Sequence, residues 1–136
     1  MLIHPTSNQQ RGFSLVELMV TIAIIAILAG IALPQYQQRM INTKRADGIQ
    51  MLQRVMQSQE RYFTNELSYT TDLRELGYSV ASSLETTEGY YKISAAACAG
   101  STISQCVLLT AVPQGGQASD GNLTLNSRGV QGGNWN

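Results

Sequence analysis

The chain has 136 residues, enough for one hydrophobic core and too few for two independent ones. Nine basic and nine acidic residues give a formal net charge of zero, which excludes a strong overall attraction to nucleic acid or anionic lipid. Glu17 is the only ionisable residue between Phe13 and Leu33, and most other charges lie beyond Gln38. We therefore expect an apolar stem followed by one soluble head.

The first twelve residues are polar and carry Arg11 just before the hydrophobic run begins. An ordinary secretory signal places its cleavage site after the apolar region, behind small residues. Here the run continues through Pro34 into a helical pattern, and no such site follows it. Taken alone, this segment indicates a signal anchor with a cytoplasmic amino terminus.

Residues 13–33 have about the length that a helix needs to cross a bilayer, roughly 20 residues. Arg11 on the amino-terminal flank places the leader in the cytoplasm and the head outside. A carboxylate such as that of Glu17 costs about 2–3 kcal/mol in a membrane helix, less near the interface. Glu17 therefore needs a partner.

Gly30 and Pro34 both weaken the helix, the first through backbone entropy and the second by removing a hydrogen bond to the preceding turn. These two residues predict a kink over about residues 29–33.

Beyond Pro34 the apolar residues recur at intervals of three and four, which predicts an amphipathic continuation of the helix. They are Ile41, Ala46, Ile49, Leu52, Val55, Met56 and Phe63. Basic residues share this stretch, among them Lys44, Arg45 and Arg54, so that a DNA-binding face is one interpretation. We interpret them as a solvated helix surface.

Residues 64–89 lose this periodicity and predict a connecting loop, with a short helical turn at Leu73 and Leu76. Three strands are predicted after it, at 90–97, 107–112 and 123–126. The middle one is apolar almost throughout, as a strand covered on both faces would be. The predicted fold is α+β, a small antiparallel sheet packed on the amphipathic helix.

Cys98 and Cys106 lie at the end of the first predicted strand and the start of the second. Two thiols without further ligands nearby make a poor metal site, so we expect a local disulfide between them; the alternative is two free buried thiols in a cytosolic protein. The disulfide requires an oxidising compartment such as the periplasm. Trp135 is expected to be a loosely held terminal residue.

The residues 11–18, RGFSLVEL, resemble the processing site of type IV prepilins, and the similarity extends through Tyr36. The resemblance implies that a prepilin peptidase cuts between Gly12 and Phe13 and methylates the new amine of Phe13. It also implies that Glu17 of one subunit docks against Phe13 of its neighbour in a filament, whereas the local alternative is a helix cap within one chain. Similar pilins partly unwind when assembled, which would here involve about residues 26–34; the alternative is a simple bend.

The head resembles PilE-type minor pilins at 60–63 (ERYF), 109–113 (LTAVP) and 123–125 (LTL). That subgroup often carries a cysteine between Asp120 and Leu123, where this chain has Gly121 and Asn122. Its C-terminal disulfide loop is therefore not carried over to this chain.

The resulting division is a leader at 1–12, an apolar membrane or filament-core helix at 13–35 and an extracytoplasmic head at 36–136. The residues suggest no enzyme, cofactor or metal, because the only histidine, His4, lies in the leader. We expect a structural subunit of a type IV pilus, a minor one, that serves assembly, adhesion, twitching motility or DNA uptake. Its expected partners are other pilins, the peptidase, the assembly machinery and the inner membrane before export to the pilus.

Two alternatives stay open at this point. One is a pseudopilin of a type II secretion system, which shares the amino-terminal segment. The other is a pilin whose head binds DNA during competence, for which the neutral composition offers no support unless the basic residues form a local patch.

Overall fold

The structure is a computed structural model and describes residues 12–136. One long helix, α1, runs Leu15–Glu66, and five short strands follow it in chain order. The strands are β1 Leu84–Glu85, β2 Tyr91–Ala97, β3 Val107–Pro113, β4 Leu123–Asn126 and β5 Gln131–Gly132, with the 3-10 helices η1 Leu73–Leu76 and η2 Gly115–Asp120 between them.

Helix α1 begins at a hydrogen-bonded cap. The Oγ of Ser14 accepts from the backbone N–H of Glu17 at 3.2 Å, so the sequence from Ser14 to Glu17 has the spacing of a capping box. The helix continues without interruption through Gly30 and Pro34. The kink at these two residues stays a prediction.

The chain forms two compact units, one ending at Gln38 and the other comprising Arg39–Asn136. In the first unit the large apolar side chains are exposed, from Phe13 to Tyr36. An 18-residue window of this helix has a mean hydropathy of 2.6, and none of it is buried. By length and composition it can cross a membrane. The division at residues 12, 13, 35 and 36 stays a prediction.

In the second unit the strands form one antiparallel sheet in the order β1-β2-β3-β4-β5. Three residues of α1, Met51, Leu52 and Val55, belong to the buried core together with one face of this sheet. The strand residues in the core are Leu84, Tyr91, Ile93, Val107, Leu109, Ala111, Leu123 and Leu125. The predicted α+β fold is confirmed.

Strand β3 corrects one prediction. Its buried residues alternate with partly or fully exposed ones, so the strand is covered on one face and not on both. Leu108 and Val112 are apolar but lie on the uncovered side, partly buried and exposed respectively. An apolar run cannot by itself distinguish these two arrangements.

The connection between α1 and the sheet is fixed by a buried amide. The side chain of Gln59 donates to the carbonyl of Thr70 at 2.7 Å and accepts from its N–H at 3.1 Å. The predicted helical turn is present as η1, and Asp72 caps it by accepting from the N–H of Arg74.

Trp135 is another correction. Its ring is partly buried against the core, and its Nε1 donates to the carbonyl of Gly132 at 3.0 Å. Trp135 therefore helps to hold the C-terminal segment, because a large aromatic side chain with a satisfied N–H buries much apolar area.

Candidate functional site

The amino-terminal residues that the sequence singles out lie at the start of α1. The side chain of Phe13 is 75% exposed, and Glu17, in the first turn of the helix and four residues after Phe13, is also exposed. The carboxylate of Glu17 makes no ion pair or hydrogen bond with another described residue. Both side chains are thus accessible to a second molecule, and the pairing of Phe13 with Glu17 between subunits stays a prediction.

The loop between β2 and β3 is closed by a disulfide between Cys98 and Cys106. The N–H of Cys98 also donates to the carbonyl of Cys106 at 3.2 Å, which continues the hairpin to the bridge. The loop presents small polar side chains, and the Oγ of Ser101 accepts from Nη2 of Arg128 at 3.1 Å. Arg128 thereby links the β4–β5 turn to the disulfide loop.

We define the open face as the sheet face turned away from α1. Its side chains are small, polar or cationic over most of its area. They are Lys92, Ser94, Ala96, Leu108, Thr110, Val112, Thr124 and Asn126, and Glu85 lies at its β1 edge. Register places Ser94 beside Thr110 and Thr110 beside Thr124, so three hydroxyl side chains form a row across three strands.

Carboxylates are distributed very unevenly along the head. Residues 89–136 contain a single acid, Asp120, and it is buried. The same segment contains the two cations Lys92 and Arg128. The solvent-accessible charge of residues 89–136 is therefore positive, although the net charge of the whole chain is zero.

Carboxylates also border this surface. Glu85 lies directly opposite Lys92 in the β1–β2 ladder and offsets its charge. Glu60 on α1 accepts from the hydroxyl of Tyr69 at 3.2 Å, and the Tyr69 side chain also interacts with the β4–β5 turn. Arg128 lies in the turn after β4, three strands from Glu85, which corresponds to about 14 Å. That exceeds the screening length of roughly 8 Å in physiological salt.

A cluster of buried polar side chains lies between the sheet and α1. The sequence predicts only solvent-exposed charges on this part of the helix. Arg45 and Asp120 are both buried, at 7% and 9% exposure. Nε of Arg45 donates to Oδ2 of Asp120 at 2.8 Å, and Nη2 donates to Oδ1 at 2.5 Å. The expectation that Arg45 belongs to a solvated helix surface is wrong.

Three further side chains complete this cluster. The hydroxyl of Tyr91 donates to Oδ2 of Asp120 at 3.0 Å, and Asn134 donates to the backbone carbonyl of Asp120 at 3.2 Å. Gln117 donates from Nε2 to the carbonyl of Ile41 at 3.0 Å, while its Oε1 accepts no hydrogen bond from any described residue. We call Arg45, Tyr91, Gln117, Asp120 and Asn134 the buried polar cluster.

The cluster perturbs two acid groups. The hydrogen bonds from Arg45 hold the pKa of the Asp120 carboxyl at about 2, although burial acts in the opposite direction. Burial raises the pKa of the Tyr91 hydroxyl to about 12. Asp120 is therefore ionised and Tyr91 neutral at physiological pH.

A surface cleft of about 410 Å³ lies between α1 and the β1–β2 turn. It mixes the carboxylates of Asp47 and Glu88 with the guanidinium of Arg54. The carboxylate of Asp47 accepts from the hydroxyl of Thr86 at 2.5 Å, which braces the turn against the helix. Within residues 12–136 no group of three acidic, histidine or cysteine side chains could hold a metal ion.

Comparison with known proteins agrees with this architecture. A type IV pilin structure from Shewanella oneidensis matches with a TM-score of 0.51 and 27% identity, over 71% of this chain and 94% of that one. Residues 7–33 match the family described as "Prokaryotic N-terminal methylation motif". The fold and the amino-terminal segment are those of a type IV pilin.

Residues 34–124, well over half of the chain, match the family described as "Type IV minor pilin ComP, DNA uptake sequence receptor". The chain belongs to this family.

Curated relatives include the type IV major pilin protein PilA of Myxococcus xanthus, 33% identical over 65% of this chain and 39% of that protein. The type IV major pilin protein PilE of Neisseria gonorrhoeae is 33% identical over 56% of this chain and 46% of that protein. The chain spans less than half the length of these relatives. Their names are those of pilus subunits, which supports the pilus over a secretion-system pseudopilin.

Proposed function

We propose that this chain is a minor subunit of a type IV pilus whose head receives DNA. The observation that carries the proposal is the surface free of exposed carboxylates over residues 89–136, in a chain that matches the ComP family. Phosphates attract cations and repel carboxylates within a screening length. A local surface of this kind can bind DNA although the net charge of the chain is zero.

Arg128 is the residue that we assign to the phosphate backbone or a base edge. It lies on an exposed turn, and its partner, Ser101, is a neutral hydroxyl. Arginine binds both phosphates and guanine edges well. Lys92 and the hydroxyl row of Ser94, Thr110 and Thr124 offer further hydrogen-bond donors of the kind that position a duplex.

We assign assembly into the filament to the amino-terminal segment. In this proposal the chain is cut between Gly12 and Phe13, and Phe13 is methylated. The methylation-motif match over residues 7–33 supports this step. Before assembly the apolar helix anchors the chain in the inner membrane with the head outside, and afterwards the chain is part of the extracellular pilus. The exposed Glu17 then serves as the counter-charge to Phe13 of a neighbouring subunit.

The test is equilibrium binding of the detergent-solubilised full chain to labelled duplex fragments of the host chromosome, over a range of salt concentrations. Arg128→Gln should weaken binding roughly tenfold, and the loss of one phosphate contact should lower the salt slope by about one. Arg74→Gln is the matched control, because Arg74 is an exposed arginine already paired with Asp72 at 2.7 Å. Parental affinity in Arg128→Gln, or no binding by the parent, would contradict the proposal.

A further inference from the structure

The buried polar cluster joins the two ends of one segment. Asp120, which ends η2, receives both hydrogen bonds from the guanidinium of Arg45 on α1. The third nitrogen of the same guanidinium, Nη1, donates to the backbone oxygen of Asn136 at 2.5 Å. Both ends of residues 120–136 are therefore hydrogen-bonded to one side chain of the helix, that of Arg45.

The middle of that segment carries Arg128. Strands β4 and β5 run between the two attachment points, and the turn that joins them contains Arg128. Asn134 adds a tie near the C-terminal end by donating to the backbone carbonyl of Asp120 at 3.2 Å. The place of Arg128 relative to the sheet thus depends on where the two ends are held.

Energetics indicate that the cluster is not present for stability alone. A buried ion pair recovers little more than its own desolvation, and apolar replacements of similar volume are often as stable or more stable. The orphaned Oε1 of Gln117, in a side chain that is 1% exposed, adds a further cost. An apolar pair would make no hydrogen bonds to Asn136 and Tyr91. It therefore could not fix the position and orientation of the residues that these bonds hold.

We propose that Arg45 and Asp120 are positioning residues for the DNA-facing turn: they hold both ends of residues 120–136 at one point of α1 and so fix Arg128. This proposal depends on the proposed function only in the measurement of DNA binding. Neither residue touches DNA, because both are buried beneath the sheet.

The decisive variant is the double substitution Arg45→Met with Asp120→Leu in the full chain. Its thermal midpoint should equal or exceed that of the parent, because the substitution removes both charged groups and leaves neither one buried without its partner. Affinity for labelled duplex fragments of the host chromosome should nevertheless fall roughly tenfold, the effect of one lost arginine contact. Hydrogen exchange at the amides of β4 and β5 should be faster than in the parent.

A purely structural role predicts a different outcome. In that case the double variant would recover its midpoint, its DNA affinity and its exchange protection together, and the proposal would be wrong. If the parent itself binds no DNA, the proposed function fails, while hydrogen exchange at residues 123–132 still decides whether the pair positions the turn.

A second variant covers the case in which the double substitution does not fold. Arg45→Lys keeps a positive charge beside Asp120 but loses the planar fork of nitrogens that joins Asp120 to Asn136. It should speed exchange in β4 and β5 and weaken DNA binding. Asp72→Asn, which breaks the exposed pair with Arg74, is the control and should leave exchange in β4 and β5 unchanged. Parental exchange and affinity in a folded Arg45→Lys chain would overturn the proposal.

Discussion

Gly48 shows how one missing side chain sets the distance between α1 and the sheet. A Cβ at this position would lie 2.9 Å from two ring atoms of Tyr91, and Tyr91 is itself fully buried. The helix approaches β2 closely because Gly48 has no side chain, as in other close backbone contacts.

Gly48→Ala should therefore destabilise the head. Alanine gains about 1 kcal/mol of helix propensity, but overpacking a well-filled core costs about 1–3 kcal/mol, and Tyr91 is held by its hydroxyl. We expect a net loss of about 1 kcal/mol in the free energy of unfolding, measured by chemical denaturation. Gly30→Ala, with nothing within 4 Å of the added Cβ, is the control. A stabilised Gly48→Ala head would contradict this packing argument.

Asp120 gives the head an acid-sensitive component of stability. Its pKa is depressed to about 2 in the folded chain, so its contribution is complete above the ordinary aspartate pKa and is lost as the pH falls towards 2. At neutral pH, Asp120→Asn should lower the free energy of unfolding by about 3 kcal/mol, because Arg45 is left buried and unpaired.

Unfolding measured from pH 7 to pH 2 tests this prediction. The parent and Asp120→Asn should differ most above pH 4 and converge towards pH 2, where the parental carboxyl becomes protonated. A difference that stays constant over this interval would show that the Asp120 carboxylate is not stabilised by Arg45.

The sequence predicts local properties of residues better than their long-range partners. Glu17 stands out because it is the only charge in an apolar run, and that signal needs no tertiary structure. Arg45 looks like any helix-surface cation, because its partner lies 75 positions away in sequence. Its place on the apolar side of α1, next to Gly48 and Leu52, is the signal that could have identified it as buried.

At the scale of the elements, the β2–β3 hairpin depends on its disulfide. A bridge that closes so short a loop contributes roughly 2–3 kcal/mol in the chain-entropy model. Replacing Cys98 and Cys106 together by serine should lower the free energy of unfolding by that amount, as measured by denaturant titration. The oxidised parent is the reference, and equal midpoints for the two proteins would contradict the prediction.

Elements with a recognisable apolar pattern are predictable from the sequence, and elements without one are not. The strand at 123–126 was predicted with its observed bounds, and β2 and β3 were each predicted to within one residue. Strands β1 and β5 have two residues each, too few to show an alternating pattern. They are defined by pairing with β2 and β4, which is a tertiary property. Helix η2 is likewise invisible because its glycine-rich sequence indicates only a turn.

At the scale of the whole molecule, incorporation into a filament should depend on Glu17. In the proposed filament, the ammonium that cleavage would leave at Phe13 of a neighbouring subunit would lose water on entering an apolar core, which would cost several kcal/mol without a counter-charge. Glu17→Val should therefore leave processed chain in the inner membrane and reduce its share in sheared pili about tenfold or more.

Immunoblots of membrane and sheared fractions measure that share. Thr21→Val is the matched control, since the Thr21 hydroxyl only donates to the carbonyl of Glu17 within the same helix. Equal incorporation of Glu17→Val and the parent would show that Glu17 is a tolerated acid near a helix end.

Net charge was the least informative whole-molecule property. The zero sum hides a head in which every acidic side chain except the buried Asp120 precedes Gly89. Residues 89–136 carry the partly buried Lys92 and the exposed Arg128. That separation becomes meaningful only when the structure shows that Asp120, the single acid of residues 89–136, is buried against Arg45.

The most direct test of the account is uptake of labelled DNA into a DNase-resistant state, in cells whose only copy of this chain carries both Arg128→Gln and Lys92→Gln. The amount of variant in sheared pili is measured in parallel. We predict parental incorporation into pili with uptake reduced roughly tenfold or more. Parental uptake at parental incorporation would contradict the claim that this surface receives DNA.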